Sequence, residues 1–248
     1  MLESCVNQAA GLQSLALQRV PRLIAVTSHG QQQGELPLLW GLCSSWVNMG
    51  LSVIVLDGHA TETVNNPGLA QLLSNPLDRP TTDDDNPVSW SVIPAAQGLS
   101  SLSRHGFLAS SVGELFKAYA VVLVSADAGC LVQLLRGCAL APLVVVPPAK
   151  AASITAYQAL KHLLLNGQLR PTVANIVVDA NTMMPMPPSS PAHNVMNCAS
   201  NYLGYSAKPL TITASARADR SQDDITRLAM QLLESAVRLG HQPMRRVH

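Results

Sequence analysis

Six short apolar runs recur along the chain, at Leu23–Val26, Ser52–Leu56, Trp90–Ile93, Val121–Val124, Leu143–Val146 and Asn175–Val178. A strand with one wet face alternates apolar and polar residues. Four or five consecutive apolar residues, many of them β-branched, imply a strand covered on both faces. Helix-period stretches separate the runs, at Leu38–Met49, Gly68–Leu73, Gly113–Ala118, Leu131–Leu135, Ala152–Asn166 and Asn194–Leu203. This alternation implies an α/β fold: a mostly parallel, doubly wound sheet with helices on both faces. A last helix is expected over Gln222–Leu239, with Ile225, Leu228, Ala229, Leu232, Leu233, Ala236 and Val237 forming one apolar side that faces the core, a membrane-lying role being the alternative.

The length of 248 residues suits one α/β domain, expected over residues 21–240, between a distinct segment at 1–20 and a short tail at 241–248. Charged residues make up only 12% of the chain and hydrophobic ones 48%, so part of the surface is expected to be covered, by a partner, a dimer or a membrane. The formal charge of +1 argues against nucleic-acid binding, which needs a basic surface. The five cysteines show no C-x-x-C pair and no zinc spacing, so reduced thiols and no metal are expected. Asp83, Asp84 and Asp85 stand together without the spacing of a calcium loop and read as a solvated turn. Asn181–Pro191 reads as a proline-rich connection.

The opening residues lack the basic and apolar regions of a signal peptide. The most apolar stretch, Ala120–Pro147, is broken by Asp127, Gly129, Arg136 and Gly137. A cytoplasmic protein is expected, with at most peripheral contact with the inner membrane. The tail after Gly240, with its two arginines, is a weak anchor.

The first apolar run leads through Thr27-Ser-His-Gly-Gln-Gln-Gln-Gly-Glu-Leu36 into a helix, which is the strand–loop–helix setting of a phosphate-binding loop. The chemistry of such a loop is missing. The position of the phosphate-binding lysine reads Glu35, and that of the magnesium-binding hydroxyl reads Leu36. A unit charge pair at 4 Å is worth about 4 kcal/mol at an effective dielectric near 20. Exchanging attraction for repulsion therefore removes several kcal/mol, comparable to the roughly 8 kcal/mol of a micromolar ligand. Tight binding of Mg-ATP is not expected, and Glu35 itself can occupy the positive helix end.

These pieces in this order resemble the MinD/ParA-like P-loop ATPases, over most of the chain. The opening Asn7-Gln8-Ala9-Ala10-Gly11-Leu12-Gln13 is similar to the D-Q-A-x-x-L-R motif of the FlhG/FleN regulators of bacterial flagellar number and placement. Against the family's S-G-K-G-G-V-G-K-T loop, the residues from Ser28 keep only the serine and Gly34. The lysine that reaches into the partner's nucleotide in an ATP-sandwich dimer falls on Gly30, so that dimer is not expected. The resemblance places the family's D-x-D at Asp57-Gly58-His59, with the water-positioning aspartate replaced by His59. It places the magnesium aspartate at Ser125, two residues before Asp127, and the adenine-reading asparagine at Asp179.

The resemblance also implies a role for the N-terminal segment. In the family it docks onto the GTPase FlhF, and its glutamine enters that active site. Here Gln8 is retained while Asn7 and Gln13 have lost the motif's charges, so Asn7, Gln8, Leu12 and Gln13 are the candidate partner-binding residues. A short helix lying against the domain is the structural alternative.

The expected function is thus non-catalytic: a regulator or scaffold acting by protein contacts in flagellar assembly, with an FlhF-like GTPase or basal-body components as partners and no resident cofactor. One alternative is an accessory subunit of another envelope machine, such as cellulose secretion or a pilus. Another is a weak ATPase using Asp57, His59 and Asp127, for which Arg22 and Lys150 are the only cations near in sequence.

Overall fold

The computed structural model describes residues 20–28, 32–75, 89–105, 109–149, 151–178, 190–214 and 218–240. Among these, the strands are β1 (Arg22–Thr27), β2 (Val53–Asp57), β3 (Trp90–Pro94), β4 (Val121–Ala126), β5 (Leu143–Val146), β6 (Thr172–Val178), β7 (Leu210–Ala214) and β8 (Val237–Arg238). The helices are α1 (Gln32–Asn48), α2 (Leu69–Ser74), α3 (Ala96–His105), α4 (Ala109–Leu115), α5 (Ala128–Leu135), α6 (Ala152–Gly167), α7 (Pro191–Leu203) and α8 (Ala218–Ser235). The sheet runs β3-β2-β4-β1-β5-β6-β7, and β8 also pairs with β1. The pairs β2/β3, β1/β5, β5/β6 and β6/β7 are parallel, while β8 is antiparallel to β1.

All six expected strands form: the runs Leu23–Val26, Ser52–Leu56, Val121–Val124 and Leu143–Val146 are buried, whereas Trp90–Ile93 lies in the half-buried strand β3 at the end of the strand order, with Val92 52% exposed. Val53, Ile54, Val121–Leu123 and Leu143–Val146 have no exposed surface. A seventh, β7, was not anticipated, although Leu210-Thr-Ile-Thr-Ala carries the alternation of a half-buried strand.

Three expectations are corrected. Helix α1 starts at Gln32 instead of Leu38 and contains Pro37. The ring at Pro37 removes only the bond to the carbonyl of residue 33, and burial of Leu38, Leu42 and Trp46 holds the helix together. The final helix ends at Ser235 instead of Leu239. Its Ile225, Leu228, Ala229, Leu232 and Leu233 are core, whereas Val237 crosses to β8 opposite Leu23. Residues 96–105 form α3, where no helix was expected.

The fold divides into two compact units, each assembled from separate stretches of chain. The first comprises residues 1–24, 46–124 and 236–248. Its core is built on β2, the start of β4, Trp46, Leu69, Leu99 and Phe116, all buried. Arg22 opens β1 here, directly opposite Arg238 of β8, six residues before Ser28. The second unit comprises residues 25–45 and 125–235. Its core gathers β5, the inner face of α6 (Ala156, Leu160, Leu163) and Ala229 of α8. Here α1 approaches α8 at Gly41, where an added Cβ would come within 2.8 Å of Ile225.

Candidate functional site

In the second unit, β1 delivers Ser28 to a buried position, and its N–H donates to the Ala126 carbonyl at 2.9 Å. The Ser28 hydroxyl donates to Glu35 Oε2 at 2.6 Å. Glu35 is only 3% exposed and lies in the first turn of α1, where the helix macrodipole favours a carboxylate. Because α1 begins at Gln32, residues 32–34 are already helical, so their N–H groups point along the helix axis. A phosphate-binding loop needs N–H groups turned inward around the anion. Leu36, at the expected hydroxyl position, is 57% exposed.

Ser125 is buried in β4. Asp127 begins α5 with extended backbone, and its Oδ1 accepts the Cys130 N–H at 2.9 Å. That is an N-cap, so Asp127 has a structural role. Thr27, at the end of β1, is fully buried, and its hydroxyl has no hydrogen-bond partner among the described residues.

In the first unit, Asp57 ends β2 and folds back on the turn after it, with Oδ1 accepting the His59 N–H at 3.0 Å. This is an Asx-turn, and the His59 side chain is exposed. The sequence reading missed Glu62. Its side chain is 3% exposed and accepts three backbone N–H groups, from Gln97 and Gly98 at 2.8 Å and from Ala70 at 3.3 Å. It thereby joins the first turns of α2 and α3. Burial pushes its pKa up, but the hydrogen bonds from Gln97, Gly98 and Ala70 outweigh this, so the carboxyl titrates below its ordinary range.

Two glycines make room for this arrangement. A Cβ on Gly68 would lie 2.0 Å from the Pro94 carbonyl oxygen, and one on Gly98 would lie 2.5 Å from Leu69 Cγ. The only hint in the sequence is that Glu62 is the lone carboxylate in a loop otherwise without charge.

Asn7, Gln8, Leu12, Gln13, Gly30, Lys150 and Asp179 lie outside the described residues, as do Asp83–Asp85. Gly34 lies in the first turn of α1. Among the described residues, no group of three or more metal-binding side chains forms, and no helix is long and apolar enough to cross a membrane.

No protein-family model matches the chain, and no curated protein matches it. Solved structures do. The MinD cell division protein of Aquifex aeolicus aligns at 14% identity over 87% of this chain and 98% of that one, with a TM-score of 0.53. The same organism's MinC:MinD cell division protein complex gives a TM-score of 0.56 at 14% identity, over 87% of this chain and 96% of that one. A ParA family ATPase from Chlorobium tepidum gives 0.53 at 13% identity, over 86% of this chain and 98% of that one. At such identities the likeness speaks for the fold. The chain has the MinD/ParA-like fold, an α/β architecture built on a parallel central sheet.

Proposed function

We propose that this chain is a non-catalytic, MinD-like regulator or scaffold that acts through protein contacts in bacterial flagellar assembly, number or placement. The observation that carries the first half of this reading is the Ser28–Glu35 pair. A carboxylate is buried where the fold's ATPases hold their phosphate-binding lysine, and it is already bonded within the protein. A magnesium triphosphate does not fit these residues. It would meet like charge at Glu35, a helical turn where the phosphate loop should open, and Leu36 and Ser125 where metal ligands are needed.

The second half rests on the likeness of Asn7–Gln13 to the FlhG/FleN motif, with Gln8 retained. The structural match to MinD in the MinC:MinD complex supports action through protein partners. Protein contacts in place of turnover also suit a chain with only 12% charged residues.

Isothermal titration with Mg-ATP separates the readings: no heat is expected up to millimolar nucleotide, and micromolar binding would end the non-catalytic assignment. The flagellar half is tested with a purified FlhF-like GTPase. The full chain should bind it and raise its GTP hydrolysis, and Gln8→Ala should abolish the stimulation. Absence of both binding and stimulation would leave the flagellar placement without support.

A further inference from the structure

Strand β7 ends the strand order, and among the described residues it pairs with β6 alone. The pairing is parallel, with Thr211 opposite Asn175, Ile212 opposite Ile176 and Thr213 opposite Val177. The sequence makes the free side of such a strand adhesive. Leu210-Thr-Ile-Thr-Ala is uncharged, three of its five residues are β-branched, and it contains neither proline nor glycine. Short segments of this composition readily pair with a second chain.

One group of the protein already occupies this edge. The Thr213 N–H donates to Asp224 Oδ2 at 3.4 Å. It is thus turned away from β6, and because N–H groups alternate between the two sides of a strand, that of Thr211 points the same way. Asp224 belongs to α8, which packs against β7. Its side chain is half-buried, and its Oδ1 lies 3.8 Å from Arg227 on the next turn of the helix.

The bond is long, so its position matters more than its strength. A strand arriving at this edge must bring its carbonyl oxygens to the outward N–H groups. At Thr213 such an oxygen would meet an N–H already taken and a carboxylate that repels it. We propose that Asp224 guards the outer edge of β7, keeping it from pairing with the β7 of a second copy of the chain. Charge elsewhere contributes little to holding copies apart, since charged residues are 12% of the chain and the formal charge is +1.

Asp224→Ala removes the guard, and far-ultraviolet circular dichroism checks that the variant is folded. In dilute solution, hydrogen exchange at the Thr213 amide should quicken about tenfold over wild type, as expected on losing a hydrogen bond to a charged group. Light scattering from ~5 to ~300 µM should show the variant gaining mass with concentration beyond any change in wild type. Asp223→Ala, which removes the same charge at an exposed neighbouring position, should behave as wild type. Adding Thr211→Lys, at an exposed position of the β7 edge, to Asp224→Ala should return the mass to that of wild type. Should Asp224→Ala fail to fold, the near-isosteric Asp224→Asn carries the same mass measurement.

An Asp224 variant that is folded and keeps the wild-type mass throughout overturns the proposal. So does a Thr213 amide that exchanges equally fast with and without the carboxylate. Association produced equally by Asp223→Ala overturns it too, because net charge would then be the cause. Association that persists with Thr211→Lys does the same, because another surface would then be responsible.

Discussion

The Glu62 carboxylate accepts the Gly98 N–H at 2.8 Å, eight-tenths of an ångström inside the distance at which such a contact ceases to be a hydrogen bond. That one bond joins a loop residue after β2 to the opening turn of α3. With Gln97 and Ala70 as further donors, a single side chain fixes two helix starts. Glu35 does the corresponding work at the start of α1 through Ser28. In both places a glutamate of the chain itself supplies the negative charge that a helix N-terminus favours.

Replacing Glu62 by glutamine should produce a stability difference that depends on pH. The folded pKa lies below the ordinary carboxylate value, so the ionised side chain stabilises the fold above the unfolded-state pKa, near 4.3. That contribution fades as pH falls through the folded pKa. Charge-assisted hydrogen bonds are worth about 1.5–3 kcal/mol. Unfolding free energies of wild type and Glu62→Gln from urea titration should differ by an amount of this order at pH 7, and the gap should close as pH falls from about 4 through the folded pKa. A gap that stays constant with pH would mean that the charge is irrelevant.

Glu35→Ala leaves the buried Ser28 hydroxyl without this acceptor, at an expected cost of about 1–3 kcal/mol. For a chain of this length each kcal/mol lowers the melting temperature by roughly 2–4 °C. Differential scanning calorimetry reads the effect. Glu35→Lys should destabilise the fold at least as much and show no phosphate release above background, because the remaining site positions are unchanged.

Thr27→Val should act in the opposite direction. The Thr27 hydroxyl is buried without a partner among the described residues, and valine has nearly the same shape. Removing a buried polar group of this kind should raise stability by about 1 kcal/mol, seen as a higher denaturation midpoint.

Thiol labelling should single out Cys43. It is 1% exposed, and burial pushes its pKa up to about 12. Native protein treated with a thiol-specific reagent at pH 8 should leave Cys43 unmodified by peptide mass spectrometry, and guanidinium should expose it. The half-buried Cys130 and Cys198 should react before it does.

The sequence made the sheet legible wherever a strand was a continuous apolar run, because double burial leaves that mark. It was less clear where burial was one-sided or brief, as in β7 and the two-residue β8. Helix α3 was hidden because Gln97-Gly98-Leu99-Ser100-Ser101 has weak intrinsic helix preference, and its start is fixed by Glu62 from a distant loop. The start of α1 was misplaced for a related reason. Pro37 reads locally as a helix boundary, yet the turn before it forms around a buried carboxylate. Glu35 was recognised as the altered position, but its pairing with Ser28 depends on the tertiary path of the loop, which no spacing rule supplies.

Strand β8 lies antiparallel to the beginning of β1, and the Leu239 N–H donates to the Pro21 carbonyl at 2.8 Å. The polypeptide therefore returns, at Leu239, to within one hydrogen bond of Pro21. A circularly permuted version, with positions 20 and 240 bridged by a short glycine–serine linker and new ends opened elsewhere, should retain the architecture. Labels introduced at positions 20 and 240 would report from one and the same spot.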